Sequence, residues 1–174
     1  MNLGKETETL EYKKTTGEMK EAMVSISSIL NKHGIGTLYF GVKPSGDVIG
    51  QDVSESSLRD VSRAVYESIR PQIYPAIEEI VLDQKHLIKV EFSGENAPYS
   101  AAGRYYLRTA DEDREVTPDE LKAFFVANKY RELWEKGKSN TTAKQIDRPA
   151  IKSFWQKAVS AGRLPNGRYT CPAV

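Results

Sequence analysis

Three short segments carry residue types that could do chemistry. The first is Glu6-Thr7-Glu8-Thr9-Leu10-Glu11-Tyr12-Lys13. It sets carboxylates beside a lysine on what looks like an opening strand. Clustered carboxylates can hold a hard divalent cation, which prefers oxygen ligands, and such a cation can activate water for phosphodiester hydrolysis. The plainer reading is a solvated edge strand. The second segment is Asn31-Lys32-His33-Gly34-Ile35-Gly36-Thr37. Glycine-rich turns can offer backbone N–H groups to phosphate. Here the glycines follow a helix instead of opening one, and the Walker spacing is absent. Gly34 therefore reads first as the residue that closes that helix. The third is Arg104-Tyr105-Tyr106-Leu107-Arg108, followed by Arg114. Alternation along a strand puts Arg104, Tyr106 and Arg108 on one face. A tyrosine between guanidinium groups suits a nucleic-acid backbone or an unstacked base. The competing reading pairs these arginines with Asp111, Glu112 and Asp113. No Ser/His/Asp or Cys/His nucleophile arrangement, zinc spacing or dinucleotide fingerprint is present.

The elements that must position these residues follow from periodicity. Met19, Ala22, Met23, Ile26, Ile29 and Leu30 recur on one helical face. Gly36 to Val42 is apolar on nearly every residue, as in a strand buried on both sides. Pro44 to Asp47 is a turn, with a return strand at Val48-Ile49. Ser57 with Asp60 predicts the cap of a second helix, whose buried stripe is Leu58, Val61, Val65 and Ile69 and which Pro71 ends. Strands are predicted over 76–82 and 86–92, joined at 83–85, and a further strand over 104–109. Thr117-Pro118-Asp119-Glu120 is a strong helix start. Asp147 and Pro149 signal a last helix, with Ile151, Phe154, Trp155, Ala158 and Val159 apolar and Gly162 closing it. Hairpins mixed with crossover helices imply an α+β fold: a mixed sheet of about six short strands under two to three helices, with an extra C-terminal helix. The expected organisation is a domain over 1–136, a polar linker over 137–146 and a helical segment over 147–174. The last of these reads as the start of a further domain.

Composition narrows the classes. At 174 residues the chain can bury a core without staples, and its 39% hydrophobic and 28% charged content is ordinary for a globular protein. A single cysteine, Cys171, allows no internal disulfide framework. No apolar run approaches the roughly 20 residues that cross a bilayer, and the first twenty residues lack a signal-peptide core, so the expected location is cytoplasmic with no membrane partner. The net charge of +1 hides an asymmetry: residues 1–124 hold 15 Lys and Arg against 21 Asp and Glu, a net of −6, and residues 125–174 hold 10 against 3, a net of +7. A polyanion ligand must therefore use the basic tail or a local patch on an acidic body.

The segments, in this order, resemble a known family. Glu6…Glu11-Tyr12-Lys13 resembles its opening Glu-Ser-x-x-x-Glu-Phe-Lys signature. Asn31 to Val42 resembles its Asn-x-x-Gly-Gly-Thr-Leu-x-Ile-Gly-Val block, with the second glycine displaced to Gly36. Asp47-Val48-Ile49-Gly50 matches its return strand, Gly103 to Arg108 its Gly-x-x-Tyr-x-Arg strand, and Thr117 to Leu121 the helix start after it. This is similar to the Schlafen AlbA-like domain over residues 5–125. The resemblance implies an α+β fold and nucleic-acid binding, DNA or RNA, within a longer ATP-binding transcriptional regulator. On that basis Lys13, Lys14, Lys32, Lys43, Arg104, Arg108 and Arg114 are candidate phosphate contacts, with Tyr106 or Tyr39 as a stacking platform and no cofactor. Some Schlafen members are endoribonucleases that use three carboxylates. Two carry over onto Glu6 and Glu11, which would be the Mg²⁺ or Mn²⁺ ligands. The third falls directly after the Gly-Val of the buried strand, where this chain has Lys43 and Pro44, and Asp47 lies three residues on. The alternative reading is thus a metal-dependent endoribonuclease using Glu6, Glu11 and Asp47. A further alternative is a protein-interaction or homodimerisation domain marked by Trp134, Phe154 and Trp155.

Overall fold

A computed structural model describes residues 1–132 and 147–164, with side chains described over 1–126 and 147–164. The chain divides into two units, Met1–Glu132 and Leu133–Val174. The first unit runs β1 (Leu10–Lys13), a 3-10 turn (Thr16–Glu18), α1 (Met19–His33), β2 (Ile35–Phe40), α2 (Glu55–Ser68), β3 (Ile69–Arg70), β4 (Ala76–Leu82), β5 (Lys85–Ser93), β6 (Ser100–Ala101), β7 (Arg104–Thr109), β8 (Glu112–Glu115) and α3 (Pro118–Glu132). The strands form two four-stranded sheets, β1-β2-β5-β4 and β3-β6-β7-β8. Among the described residues only β1 with β2 is parallel, because α1 is the crossover that returns the chain beside its first strand.

The predicted stripe of α1 is the buried one: Met23, Ile26, Ile29 and Leu30 face the main core. Gly34 ends the helix at φ 72°, its N–H donating to the Leu30 carbonyl, the left-handed closure that glycine permits. The run after it is apolar on both faces for a reason visible in the sheet. Leu38 and Phe40 enter the main core with α1 and α2. Tyr39 packs on the opposite face against a smaller cluster of Tyr12, Val42, Val48 and Leu87. At Gly36 the helix and β5 come so near that a Cβ would lie 2.7 Å from Ile29 Cγ2 and from Phe92 Cζ.

The fold is α+β as expected, with eight strands in two sheets among the described residues in place of about six in one. The extra strands carry no readable period. β3 and β6 are two residues each, and β8 is Glu-Asp-Arg-Glu. The cap of α2 also lies earlier than predicted. Ser54, in extended conformation, accepts from the Ser57 N–H at 3.2 Å, and the Ser57 hydroxyl accepts from the Ser54 N–H at 2.8 Å. The hairpin between β4 and β5 turns on Asp83 and Gln84, both at positive φ, which matches the right-handed twist of paired strands. The helix start at Thr117 is as predicted, with Glu120 accepting from the Thr117 N–H at 2.9 Å.

In the second unit, α4 (Arg148–Ser160) is capped by Asp147, which accepts from the Ala150 N–H at 3.0 Å. Gly162 follows it at positive φ. Phe154 is exposed. Trp134, the linker 137–146 and Cys171 lie outside the described residues. Among the described residues no helix is long and apolar enough to cross a membrane.

Candidate nucleic-acid interface

Pairing of β7 with β8 puts Arg108 directly opposite Asp113. Arg108 is 1% exposed. Its guanidinium donates to Asp113 at 2.8 Å, to Glu11 at 2.6 Å and to the Thr7 carbonyl at 3.2 Å. Asp113 also accepts from the hydroxyls of Ser25 (2.6 Å) and Ser28, both on α1. Glu11, itself buried, takes Lys13 on its other oxygen. Burial opposes the charge on Arg108, but the Asp113 hydrogen bond and the Glu11 and Asp113 charges outweigh it and hold the guanidinium above its ordinary value. Four elements, β1, α1, β7 and β8, are thus tied through one arginine.

This overturns the exposed Arg104–Tyr106–Arg108 face. The face exists, but at Tyr106 and Arg108 it is covered, with α1 against it. Arg108 is an internal counter-ion, not a phosphate contact. Tyr106 is half-buried against the main core, and its carbonyl accepts from the Asn31 side chain at 2.7 Å. Arg104 alone of the three is exposed, and it pairs with Glu115 at 3.4 Å. Arg114 is held by Glu120 at 2.8 Å. That bond, with the Thr117 N–H and hydroxyl, draws the Glu120 carboxyl down to about 2. Of the competing pairings with Asp111, Glu112 and Asp113, the one seen is Arg108 with Asp113.

The three carboxylates of the nuclease reading do not assemble. Both oxygens of Glu11 carry cations. Glu6 accepts the Tyr12 N–H at 2.9 Å, and burial, aided by the charge of Glu11, pushes its carboxyl above the usual range. Asp47 is tied to Asn2 at 2.7 Å and Ser45 at 2.8 Å, which hold it below its usual value. Among the described residues no three His, Cys, Asp or Glu side chains are placed to hold a metal. Glu6, Glu11 and Asp47 therefore do not fit a Mg²⁺ or Mn²⁺ site: Glu11 is taken by Arg108 and Lys13, Glu6 by the Tyr12 N–H, and Asp47 by Asn2 and Ser45.

Of the remaining predicted cations, Lys32 pairs with Glu8 at 2.6 Å. Lys14 and Lys43 are exposed and form no ion pair among the described residues. The Gly41 and Val42 N–H groups both donate to the Lys13 carbonyl, at 2.8 and 3.1 Å. These bonds join the backbone where β1 ends, leading into Lys14, to the backbone where β2 ends, leading into Lys43. Two lysines that strand patterning does not single out, Lys5 and Lys20, are likewise exposed without an ion pair. The segment leading to Lys5 lies along the same turn, through Leu3 N–H to the Gly46 carbonyl at 2.9 Å.

The DIP2311 protein from Corynebacterium diphtheriae is similar at a TM-score of 0.54 and 13% identity, over 90% of this chain and 30% of that one. The chain thus spans under a third of that protein's length. The N-terminal domain of a candidate ATP-dependent DNA helicase RecG-related protein from Nitrosomonas europaea matches at a TM-score of 0.39 and 17% identity, over 63% of this chain and 82% of that one. No curated protein matches. The family model described as Schlafen, AlbA_2 matches residues 6–117. That span holds Glu6 to Lys13, Asn31 to Val42 and Gly103 to Arg108, the segments in which the resemblance was read, and the chain belongs to the Schlafen AlbA_2 family.

Proposed function

We propose that this chain is a nucleic-acid-binding module, with DNA as its first ligand to test, acting within a longer ATP-binding transcriptional regulator. One observation carries the reading: Lys14 and Lys43, just past the paired ends of β1 and β2, are exposed and form no direct ion pair among the described residues, the charge of Lys43 being felt by the Asp47 carboxylate. Lys5 and Lys20 add charge nearby in the chain. Contacts of this kind release counterions and carry no base preference. Membership of the family and the greater length of the DIP2311 protein support a module that works beside other domains.

The test is a titration of the whole chain with labelled DNA and RNA of one sequence at two salt concentrations. The affinity is expected to fall steeply as salt rises. The double variant Lys14→Ala/Lys43→Ala should bind more weakly and lower the log–log salt slope by about 2. Absence of binding at low salt overturns the function, and an unchanged slope in the double variant overturns this interface.

A further inference from the structure

α2 turns Val61 and Val65 into the main core, and Ile69 continues that stripe. The opposite stripe holds Arg59, Arg63 and Tyr66 at i, i+4 and i+7, with Arg70 four residues on. The first three share one helical face, and Arg70 lies past the helix in β3. Arg70 sits with its guanidinium carbon 6.0 Å from the centre of the Tyr66 ring, and donates to the Tyr66 and Ile69 carbonyls at 2.6 and 2.7 Å. The chain then turns, and Ile73, 6% exposed, anchors it in the core. That anchor leaves Tyr74 85% exposed beside Tyr66 at 55%. Arg59, Arg63, Tyr66, Ile73 and Tyr74 line one shallow groove, and no carboxylate among the described residues lines it.

We propose that this groove binds single-stranded nucleic acid, with bases stacked on Tyr66 and Tyr74 and phosphates on Arg59 and Arg63. The proposal rests on the nucleic-acid reading above but shares no residue with the lysine pair. Two well-exposed phenol rings offer faces to unstacked bases, and stacking of this kind tolerates any sequence. A duplex keeps its bases stacked on one another and could use only the arginines. Arg59 and Arg63 pair with Glu55 at 2.7 Å and Asp60 at 3.3 Å, with every partner at least 60% exposed. Such surface pairs are weak and readily exchanged for phosphate. Charge also argues against a second copy of the chain, since a two-fold contact through the groove would set the same arginines against each other.

The experiment measures fluorescence anisotropy of the whole chain with a thymidine single strand, a uridine single strand and a duplex of equal length. Tyr74→Ala should weaken both single strands about tenfold and leave the duplex unchanged. Tyr74→Phe should restore binding, and Arg63→Ala should lower the salt slope by about 1. Circular dichroism checks that each variant is folded. Single-strand binding of Tyr74→Ala equal to the parent overturns the groove while leaving the lysine interface standing. A dimer on sizing chromatography that Tyr74→Ala dissolves also overturns it, assigning the groove to a second copy. A parent chain that binds no strand overturns both proposals together.

Discussion

At the scale of single residues, Arg108 and Glu6 show opposite solutions to burial. Arg108 keeps its charge inside the protein because Glu11 and Asp113 meet it with two hydrogen-bonded carboxylates. Removing one member of such a group strands the others without compensation. Arg108→Ala is therefore expected to lower the unfolding free energy by about 3–5 kcal/mol, read from urea denaturation. Arg108→Lys should not restore it, because a single ammonium cannot reproduce the planar fork that reaches both acids. An unchanged midpoint for either variant would contradict this role. Glu6 is raised by burial and by Glu11. Its folded form holds the proton more tightly than the unfolded chain does. Its favourable contribution is complete below the ordinary carboxylate value and is lost as pH rises through the raised one. Glu6→Gln keeps an oxygen for the Tyr12 N–H and never ionises. It should melt above the parent near pH 7 and converge with it below about pH 4. A variant that melts lower at neutral pH would show that the charge itself is needed.

At the scale of elements, the distance between α1 and the first sheet is set by Gly36. Alanine there would bring a methyl within 2.7 Å of Ile29 and Phe92. Gly36→Ala should cost about 1–3 kcal/mol by overpacking, visible as a lower melting temperature. A melting temperature equal to the parent's would mean that α1 shifts without penalty. Asn31 joins α1 to the second sheet. Its side chain donates to the Tyr99 and Tyr106 carbonyls at 2.8 and 2.7 Å and accepts from the Tyr99 N–H at 2.6 Å. Its position in the Asn31 to Val42 block was plain from the sequence, but this role was not, because its partners lie 68 and 75 residues away. β8 was missed for a related reason. Its charged residues look like a solvated loop until Asp113 is seen to turn inward toward Arg108, Ser25 and Ser28.

At the scale of the whole molecule, charge decides what kind of binding is available. Residues 1–124 carry a net of −6 and residues 125–174 a net of +7. A body of that sign grips a polyanion only through local cations, so the salt dependence expected of the Lys14–Lys43 edge should be steep but borne by few contacts. The sequence by itself determined the class of fold, the faces of α1 and α2, the helix closure at Gly34, the start of α3 and the family. All of these rest on period or on spacings of a few residues, which local geometry obeys wherever the segment sits. Only the tertiary structure decided which cations remain available and which carboxylates are already used. Arg108 meets Glu11 across 97 residues, and Lys32 meets Glu8 across 24. Strand alternation correctly grouped Arg104, Tyr106 and Arg108 on one face. It could not say that α1 would lie over that face, because a strand's two sides are equivalent until another element covers one of them.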